Sequence, residues 1–235
     1  MTWDWKVFLN DDGSGRTYLQ WMFDAWGWTL AVAGASWVVA MLVGALVGTV
    51  RTLPNSPWLI RLANAWVELF RNVPLLVQIF IWYFVVPKIF PPMKQLPAFV
   101  LVVFALGFFT SARIAEQVRA GIQALPRGQR YAGMAMGFTT IQTYRYVILS
   151  MALRIIMPPL TSESMNLLKN SSVAFAVSIA ELTMFAMQAQ EETSRGIEIY
   201  LAVTLLYAVS AFTVNRIKAS KVPKIMPPIV ATIVS

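Results

Sequence analysis

The stretch that decides the fold runs from Ala25 to Val50 and reads AWGWTLAVAGASWVVAMLVGALVGTV. It contains no charged residue. Because a helix rises about 1.5 Å per residue, the segment is long enough to cross a hydrocarbon core of about 30 Å. It is too long, and begins too far into the chain, to be the apolar core of a signal peptide. The segment therefore predicts a transmembrane helix.

The composition of the whole chain agrees with a membrane protein. Of its 235 residues, 57% are hydrophobic and 13% are charged, and the mean hydropathy is +0.61. A soluble domain is about 45–50% apolar and about 25% charged. The chain has no Cys and no His, which excludes disulfides, thiolate metal sites and His-based catalytic triads. We assign no metal ligand and no catalytic residue in this chain.

Further apolar segments predict further membrane crossings, at 73–86, 97–112, 144–187 and 197–214. The segment Trp58–Arg71 is different, because its polar residues recur every three or four positions and form one stripe on a helix. It predicts a helix that lies at the membrane surface or packs on other helices. The net charge of +8 could indicate nucleic acid, but the basic residues stand between apolar segments, so no nucleic-acid partner is expected.

The positions of the basic residues predict the orientation. Cytoplasmic loops carry an excess of Lys and Arg. With the N-terminus outside and five crossings, most of the 19 basic residues lie inside, including those that follow Val214. A sixth crossing would move that basic tail outside, so 144–187 is predicted to be one crossing that is broken near Lys169–Ser172. Broken helices at membrane depth line a cavity or are buried in protein, which makes the break a candidate substrate site.

Several ordered motifs resemble those of one transporter family. The run Gly128–Phe138 (GQRYAGMAMGF), followed by Tyr144–Leu149 (YRYVIL), resembles the cytoplasmic "EAA" loop of binding-protein-dependent ABC importer permeases. Arg71–Gln78 (RNVPLLVQ) and Leu168–Val173 (LKNSSV) are similar to further blocks of the polar amino acid subfamily. Within this subfamily, the residues of these motifs are most similar to those of a permease of glutamate/aspartate importers. The chain departs from the pattern at Tyr131, where the family loop has an acidic residue.

This resemblance implies a fold and an organisation. The chain would be an all-α integral membrane protein with about five transmembrane helices in the type I ABC importer permease fold, with its N-terminus outside and its C-terminus cytoplasmic. Residues 1–24 would form a periplasmic segment and 25–216 the transmembrane domain, with a cytoplasmic coupling loop at about 124–145. Residues 217–235 would form a cytoplasmic tail.

The resemblance also implies a function and partners. The chain would move polar amino acids across a bacterial inner membrane by alternating access, in contact with membrane lipid. The similarity of its motifs to those of glutamate/aspartate permeases implies that these two amino acids are the substrates. It would work with a cytoplasmic ABC ATPase dimer, a second permease subunit (a sister or an identical copy) and a periplasmic amino-acid-binding protein. No G-x-x-x-x-G-K-[ST] motif occurs, so ATP and Mg would bind the partner ATPase and this chain would bind no cofactor.

The resemblance assigns candidate coupling residues to the loop. Gly137 would take a positive φ as the turn between two short helices, and the second of them, at about 138–145, would dock on the ATPase. An ATP-driven movement of the ATPase would then move the docked helix. The residues expected to take part in coupling are Gly128, Ala132, Gly137, Phe138, Thr143, Tyr144 and Arg145.

A second set of residues forms the candidate substrate pathway: Gln78, Arg113, Glu116, Lys169, Asn170, Ser171, Ser172 and Glu181. Each has a structural alternative. Glu181 is as well explained by a carboxylate paired within the helix bundle. Arg113 and Glu116, with Arg119, have the spacing of ion pairs along one helix. The Lys169–Ser172 run has residues that cap helix breaks.

Other functions stay open at this point. The chain could be a permease of the same family for another polar amino acid. A secondary transporter is a further alternative, although no internal inverted repeat is evident. A membrane-embedded enzyme would have to use carboxylates such as Glu116, Glu163 and Glu181, which form no known motif.

Overall fold

The structure is a computed structural model, and it describes residues 3–54 and 56–219. The chain in these ranges is almost entirely helical. In addition to short 3₁₀ turns at Trp5–Leu9 and Pro91–Gln95, the helices are α1 (Tyr18–Val50), α2 (Pro57–Asn72), α3 (Leu75–Ile89), α4 (Ala98–Gln123), α5 (Arg127–Ala135), α6 (Thr140–Val177), α7 (Leu182–Thr193) and α8 (Gly196–Ala219).

Between three and five segments could cross a membrane. Helices α1, α4 and α8 are each long and apolar enough on their own. Two bent pairs pass the same test when taken together, α2 with α3 at 106° and α6 with α7 at 54°. These segments agree with the predicted all-α membrane fold of about five crossings. Helix α1 begins at Tyr18, before the apolar segment, because its first turns pack into a protein core.

The predicted break near Lys169–Ser172 is wrong in position. Helix α6 continues through Asn170, tightens into a 3₁₀ segment over Ser171–Val177, and ends at Ser178, whose φ is 61°. The Ser171 hydroxyl donates to the carbonyl of Leu168, 2.7 Å away, so this polar side chain is satisfied within the helix instead of ending it. The bend follows at 178–181.

The chain divides into two compact units. Unit 1 contains residues 3–39, 73–107 and 166–213, and unit 2 contains 40–54, 56–72, 108–165 and 214–219. The segment before α1, which we predict to be periplasmic, therefore belongs to unit 1. Most of the predicted tail lies outside the described residues, since these end at 219.

The core of unit 1 joins α1 to α7 and α8. Trp21 packs edge-on against Phe185, with 5.2 Å between the ring centroids. The Tyr18 hydroxyl donates to Glu192, 2.8 Å away, and the backbone N–H of Asp4 donates to Glu198, 3.0 Å away. These contacts hold the N-terminal segment and the start of α1 against the last two helices.

The core of unit 2 packs residues of α2 against α4, and α1 also approaches α4 closely. A Cβ atom at Gly48 would lie 2.7 Å from the carbonyl oxygen of Ala115 and 2.7 Å from Cβ of Val118. Gly44, one turn earlier, meets Ile114 and Ser111 in the same way. Gly44 and Gly48 form a G-x-x-x-G motif in an apolar helix, which is a known sign of close helix packing in membranes.

Adding a methyl group at this contact should destabilise unit 2. We expect Gly48→Ala to lower the free energy of unfolding by about 1–3 kcal/mol, because the neighbouring atoms include backbone that cannot move aside. Thermal unfolding in detergent is the measurement. Gly34→Ala is the matched control on the same helix, since nothing lies within 4 Å of its added Cβ. Equal melting temperatures for the two variants would contradict the proposed packing.

Candidate functional site

The predicted coupling loop is a helical hairpin in unit 2. Helix α5 ends at Ala135, and Gly137 follows with a φ of 84°, the left-handed conformation that the sequence predicts for it. The N–H of Gly137 donates to Met134 and that of Phe138 to Gly133, at 3.0 and 3.2 Å, which closes the end of α5. An added Cβ at Gly137 would meet nothing within 4 Å, so glycine is required there by backbone conformation rather than by space.

The second arm of the hairpin starts with a capping box. The Thr139 hydroxyl accepts from the N–H of Gln142, and the Gln142 side chain accepts from the N–H of Thr139, at 3.3 and 2.9 Å. The expectation of a separate short helix at 138–145 is wrong, because the helix begins at Thr140 and continues through a π turn at Tyr144–Ile148 as the start of α6. The coupling arm is thus one end of a long helix.

The seven predicted coupling residues separate into buried and accessible groups. Thr143 is buried, and a Cβ at Gly133 would lie 2.9 Å from its Cγ2. Tyr144 is also buried, with its hydroxyl donating to the carbonyl of Thr52 at 2.5 Å. These two residues hold the hairpin on unit 2. The residues that leave side chain or backbone accessible are Gly128, Ala132, Gly137, Phe138 and Arg145.

The hairpin also exposes apolar side chains that sequence reasoning missed. Ile141 is 79% exposed and Met136 is 76% exposed. Other exposed apolar residues of this patch are Tyr131, Met134 and Tyr146. The signal for them was present in the sequence, as large apolar residues between the polar positions of a loop. A group of exposed apolar side chains of this kind marks a surface for a partner.

In unit 1, the structure brings together two parts of the predicted pathway. The first turns of α3, which carry Gln78, contact the 3₁₀ segment Ser171–Val177. Gln78 is buried, and its amide donates to the carbonyl of Val73 at 2.8 Å. Ser171 is buried, Asn170 and Ser172 are half-buried, and Lys169 is exposed. Gln78 and Ser171 are thus buried and donate hydrogen bonds to nearby backbone carbonyls. Accessible surface remains on Lys169, Asn170 and Ser172.

Glu181 lies at the break between α6 and α7. Its side chain is 0% exposed and accepts from the N–H groups of Thr183 and Met184, at 2.9 and 3.0 Å, as the N-cap of α7. The Tyr207 hydroxyl donates to it at 2.8 Å. A carboxylate at this end of a helix also meets the positive end of the helix dipole. This geometry supports the alternative of a carboxylate paired within the bundle.

Glu116, in unit 2, joins three helices. Its Oε1 lies 2.9 Å from Nη1 of Arg51, which follows α1, and 3.3 Å from Nη1 of Arg71 in α2. The expectation of an ion pair along one helix is wrong here, because the partners of Glu116 come from other helices. Arg113 is exposed, with its guanidinium 5.1 Å from the centre of the Phe109 ring. The predicted pathway residues therefore fall in both units.

Comparison with known proteins identifies the family of the chain. Residues 21–233 match the family described as "Binding-protein-dependent transport system inner membrane component". The chain is 42% identical over 222 residues to the glutamate/aspartate import permease protein GltJ of Escherichia coli (strain K12), covering 89% of this chain and 90% of that one. It is 36% identical over 182 residues to the probable glutamine ABC transporter permease protein GlnM of Bacillus subtilis (strain 168), covering 77% and 79%.

A solved structure has the same fold. It is described as the crystal structure of an amino acid ABC transporter with histidines, and it aligns with a TM-score of 0.77 and 29% identity, covering 95% of this chain and 100% of that chain. The predicted type I importer permease fold is confirmed by this likeness. The ATPase of such importers is a separate subunit, so the chain itself is a transport subunit and not an enzyme. The chain therefore belongs to the binding-protein-dependent ABC importer permeases and is the membrane subunit of an amino-acid importer.

Proposed function

We propose that this permease imports the acidic amino acids glutamate and aspartate. The observation that carries the proposal is the 42% identity with a glutamate/aspartate import permease over almost the whole chain. The relative named for glutamine is less similar, at 36% over a shorter alignment. A permease for another polar amino acid is thereby less well supported than one for acidic amino acids.

The proposed assembly contains a cytoplasmic ATPase dimer, a second permease subunit and a periplasmic amino-acid-binding protein. It stands in the inner membrane of a bacterium with the N-terminus outside. ATP and Mg bind the ATPase. The exposed apolar residues of the coupling hairpin, with Ile141 and Met136 the most exposed, support a docking role for this surface. In the proposed mechanism, a movement of the docked hairpin displaces the start of α6.

The proposed pathway is narrower than the sequence prediction. It consists of Lys169, Asn170 and Ser172, which keep accessible surface and whose polar groups suit a carboxylate, and Ser172 lies in the segment that contacts the helix of Gln78. We assign Glu181 and Glu116 to structural roles, because capping bonds and ion pairs occupy their carboxylates. The role of Arg113 in contacting substrate stays a prediction.

The substrate proposal is tested by uptake into proteoliposomes. The permease is reconstituted with its operon-encoded partner subunits and binding protein, and radiolabelled glutamate is followed with and without ATP. We expect ATP-dependent uptake in which excess unlabelled aspartate competes and excess glutamine or arginine does not. Glutamine competing as well as aspartate would contradict the acidic assignment. Uptake without the ATPase subunit would contradict the importer mechanism.

The coupling proposal is tested at Gly137. Gly137→Val should uncouple ATP hydrolysis from uptake. A β-branched residue at a φ of 84° costs about 1–3 kcal/mol, so the turn would change to another conformation. Asn tolerates the left-handed conformation, so Gly137→Asn is the matched control. The measurement is the number of ATP molecules hydrolysed per substrate imported. We expect that ratio to rise for Gly137→Val only, and an unchanged ratio in Gly137→Val would refute the role of the turn.

The structural role of Glu181 makes a separate prediction. Glu181→Ala removes the cap of α7 and the carboxylate that accepts from the Tyr207 hydroxyl at 2.8 Å, which should destabilise the fold by about 1–3 kcal/mol. The melting temperature should therefore fall, while the KM for glutamate of the folded protein is unchanged. Tyr207→Phe is the control that removes the contacts of the Tyr207 hydroxyl with Glu181 and Thr183 and keeps the cap. A raised KM with an unchanged melting temperature would instead place Glu181 in the pathway.

A further inference from the structure

A cavity of about 540 Å³ in unit 2 has no part in the proposed transport pathway. Residues that follow α1, the last turn of α4, and the first turns of α5 and α6 line it. One wall is polar and contains Arg51, Arg130, Gln123 and Tyr144, and the other is apolar and contains Leu53, Ile60, Ile122 and Leu125. The cavity is therefore amphipathic.

The charge of the lining is positive. Among the lining residues that the structure describes, the two arginines are the charged ones and none is acidic. The Arg51 side chain is only 6% exposed. Its Nε donates to Asn64 at 2.7 Å, and its Nη1 lies 2.9 Å from Glu116 without the alignment of a hydrogen bond. Within the described part of the chain, this buried Nη1 has no hydrogen-bond partner.

The neighbouring carboxylate does not neutralise this group. Glu116 is shared between Arg51 and Arg71, so one negative charge faces two positive ones, and Arg130 adds a third. A guanidinium that is withdrawn from water needs an anion or further acceptors. The planar fork of an arginine matches the oxygens of a carboxylate or a phosphate. The polar wall is thus built for an anion.

The position and the apolar wall narrow the class of ligand. The apolar segment of α1 ends at Val50, directly before the lining residues Arg51 and Leu53, so this side of the cavity lies at the end of a candidate membrane span, where lipid headgroups are expected. A small soluble anion would leave the apolar wall uncovered. We propose that this cavity binds the phosphate of an anionic phospholipid, with its glycerol and first acyl carbons against Leu53, Ile60 and Ile122.

The proposal excludes a zwitterionic lipid of the choline type as the preferred ligand, because the wall offers no carboxylate for an ammonium group. Free phosphate and glycerol 3-phosphate share the chemistry of the headgroup, and the experiment separates them from the lipid. The cavity also contains Pro126 and Tyr144, at the base of the coupling hairpin, so a bound lipid would contact the start of both arms.

The test is lipid binding by the full-length chain purified with its partner subunits. Native mass spectrometry follows titration with phosphatidylglycerol, and phosphatidylcholine and glycerol 3-phosphate form two separate arms. We expect phosphatidylglycerol to bind with preference over phosphatidylcholine, and Arg130→Gln to weaken that binding about tenfold, as loss of a charge-assisted hydrogen bond does. Arg130→Lys keeps the positive charge but loses the planar guanidinium. Its affinity for phosphatidylglycerol should therefore lie between that of the unchanged protein and that of Arg130→Gln.

Arg61→Gln is the matched control, since Arg61 is an exposed basic residue next to Ile60 that does not line the cavity. It makes the same change of charge and should leave the affinity unchanged. Gel filtration and circular dichroism confirm that each variant is folded. Equal losses in Arg130→Gln and Arg61→Gln would overturn the site in favour of general attraction to a basic surface. Full competition by glycerol 3-phosphate at the lipid's own concentration would overturn the lipid assignment.

Discussion

The break between α6 and α7 sets the constraint on which unit 1 depends. Backbone N–H groups at the start of a helix have no partner within it, and in an apolar environment each one left unsatisfied costs several kcal/mol. The Glu181 carboxylate satisfies two of them, and the Thr29 hydroxyl accepts a third from Leu182 at 3.1 Å. Thr29 belongs to α1, and Tyr207, whose hydroxyl donates to Glu181, belongs to α8. The hydrogen bonds that satisfy the start of α7 therefore also join the break to the first and last helices.

The same cluster explains why the break lies at 178–181 and not at 169–172. Polarity alone favoured the earlier position, since Lys169–Ser172 is the most polar stretch within the apolar segment. A short hydroxyl side chain can return its hydrogen bond to the preceding turn, as Ser171 does, and the helix then continues. The carboxylate at Glu181 is long enough to reach forward to the next turn. Which polar residue ends a helix therefore depends on tertiary partners that the sequence does not reveal.

The parts of the fold that could be predicted are those governed by local rules. The apolar segment predicted the end of α1 at Val50, the polar stripe predicted α2 to within one residue at each end, and the conformational freedom of glycine predicted the turn at Gly137. The coupling site was predicted less well, because motif resemblance does not separate residues that hold the hairpin from residues that face a partner. Thr143 and Tyr144 are buried, whereas Ile141 is exposed. Only packing distinguishes them.

Packing in unit 2 also explains the role of two charged residues, Arg51 and Glu116. The close approach at Gly44 and Gly48 brings the ends of α1 and α4 together, so that Arg51 and Glu116 meet although they are far apart in sequence. Arginines that follow apolar helices are read from sequence as signs of orientation. Here one of them is nearly buried and paired, which a purely topological role would not require. The close approach at the two glycines thus allows the ion pair between Arg51 and Glu116. Arg51 is therefore a structural residue at the base of the coupling hairpin as well as an indicator of orientation.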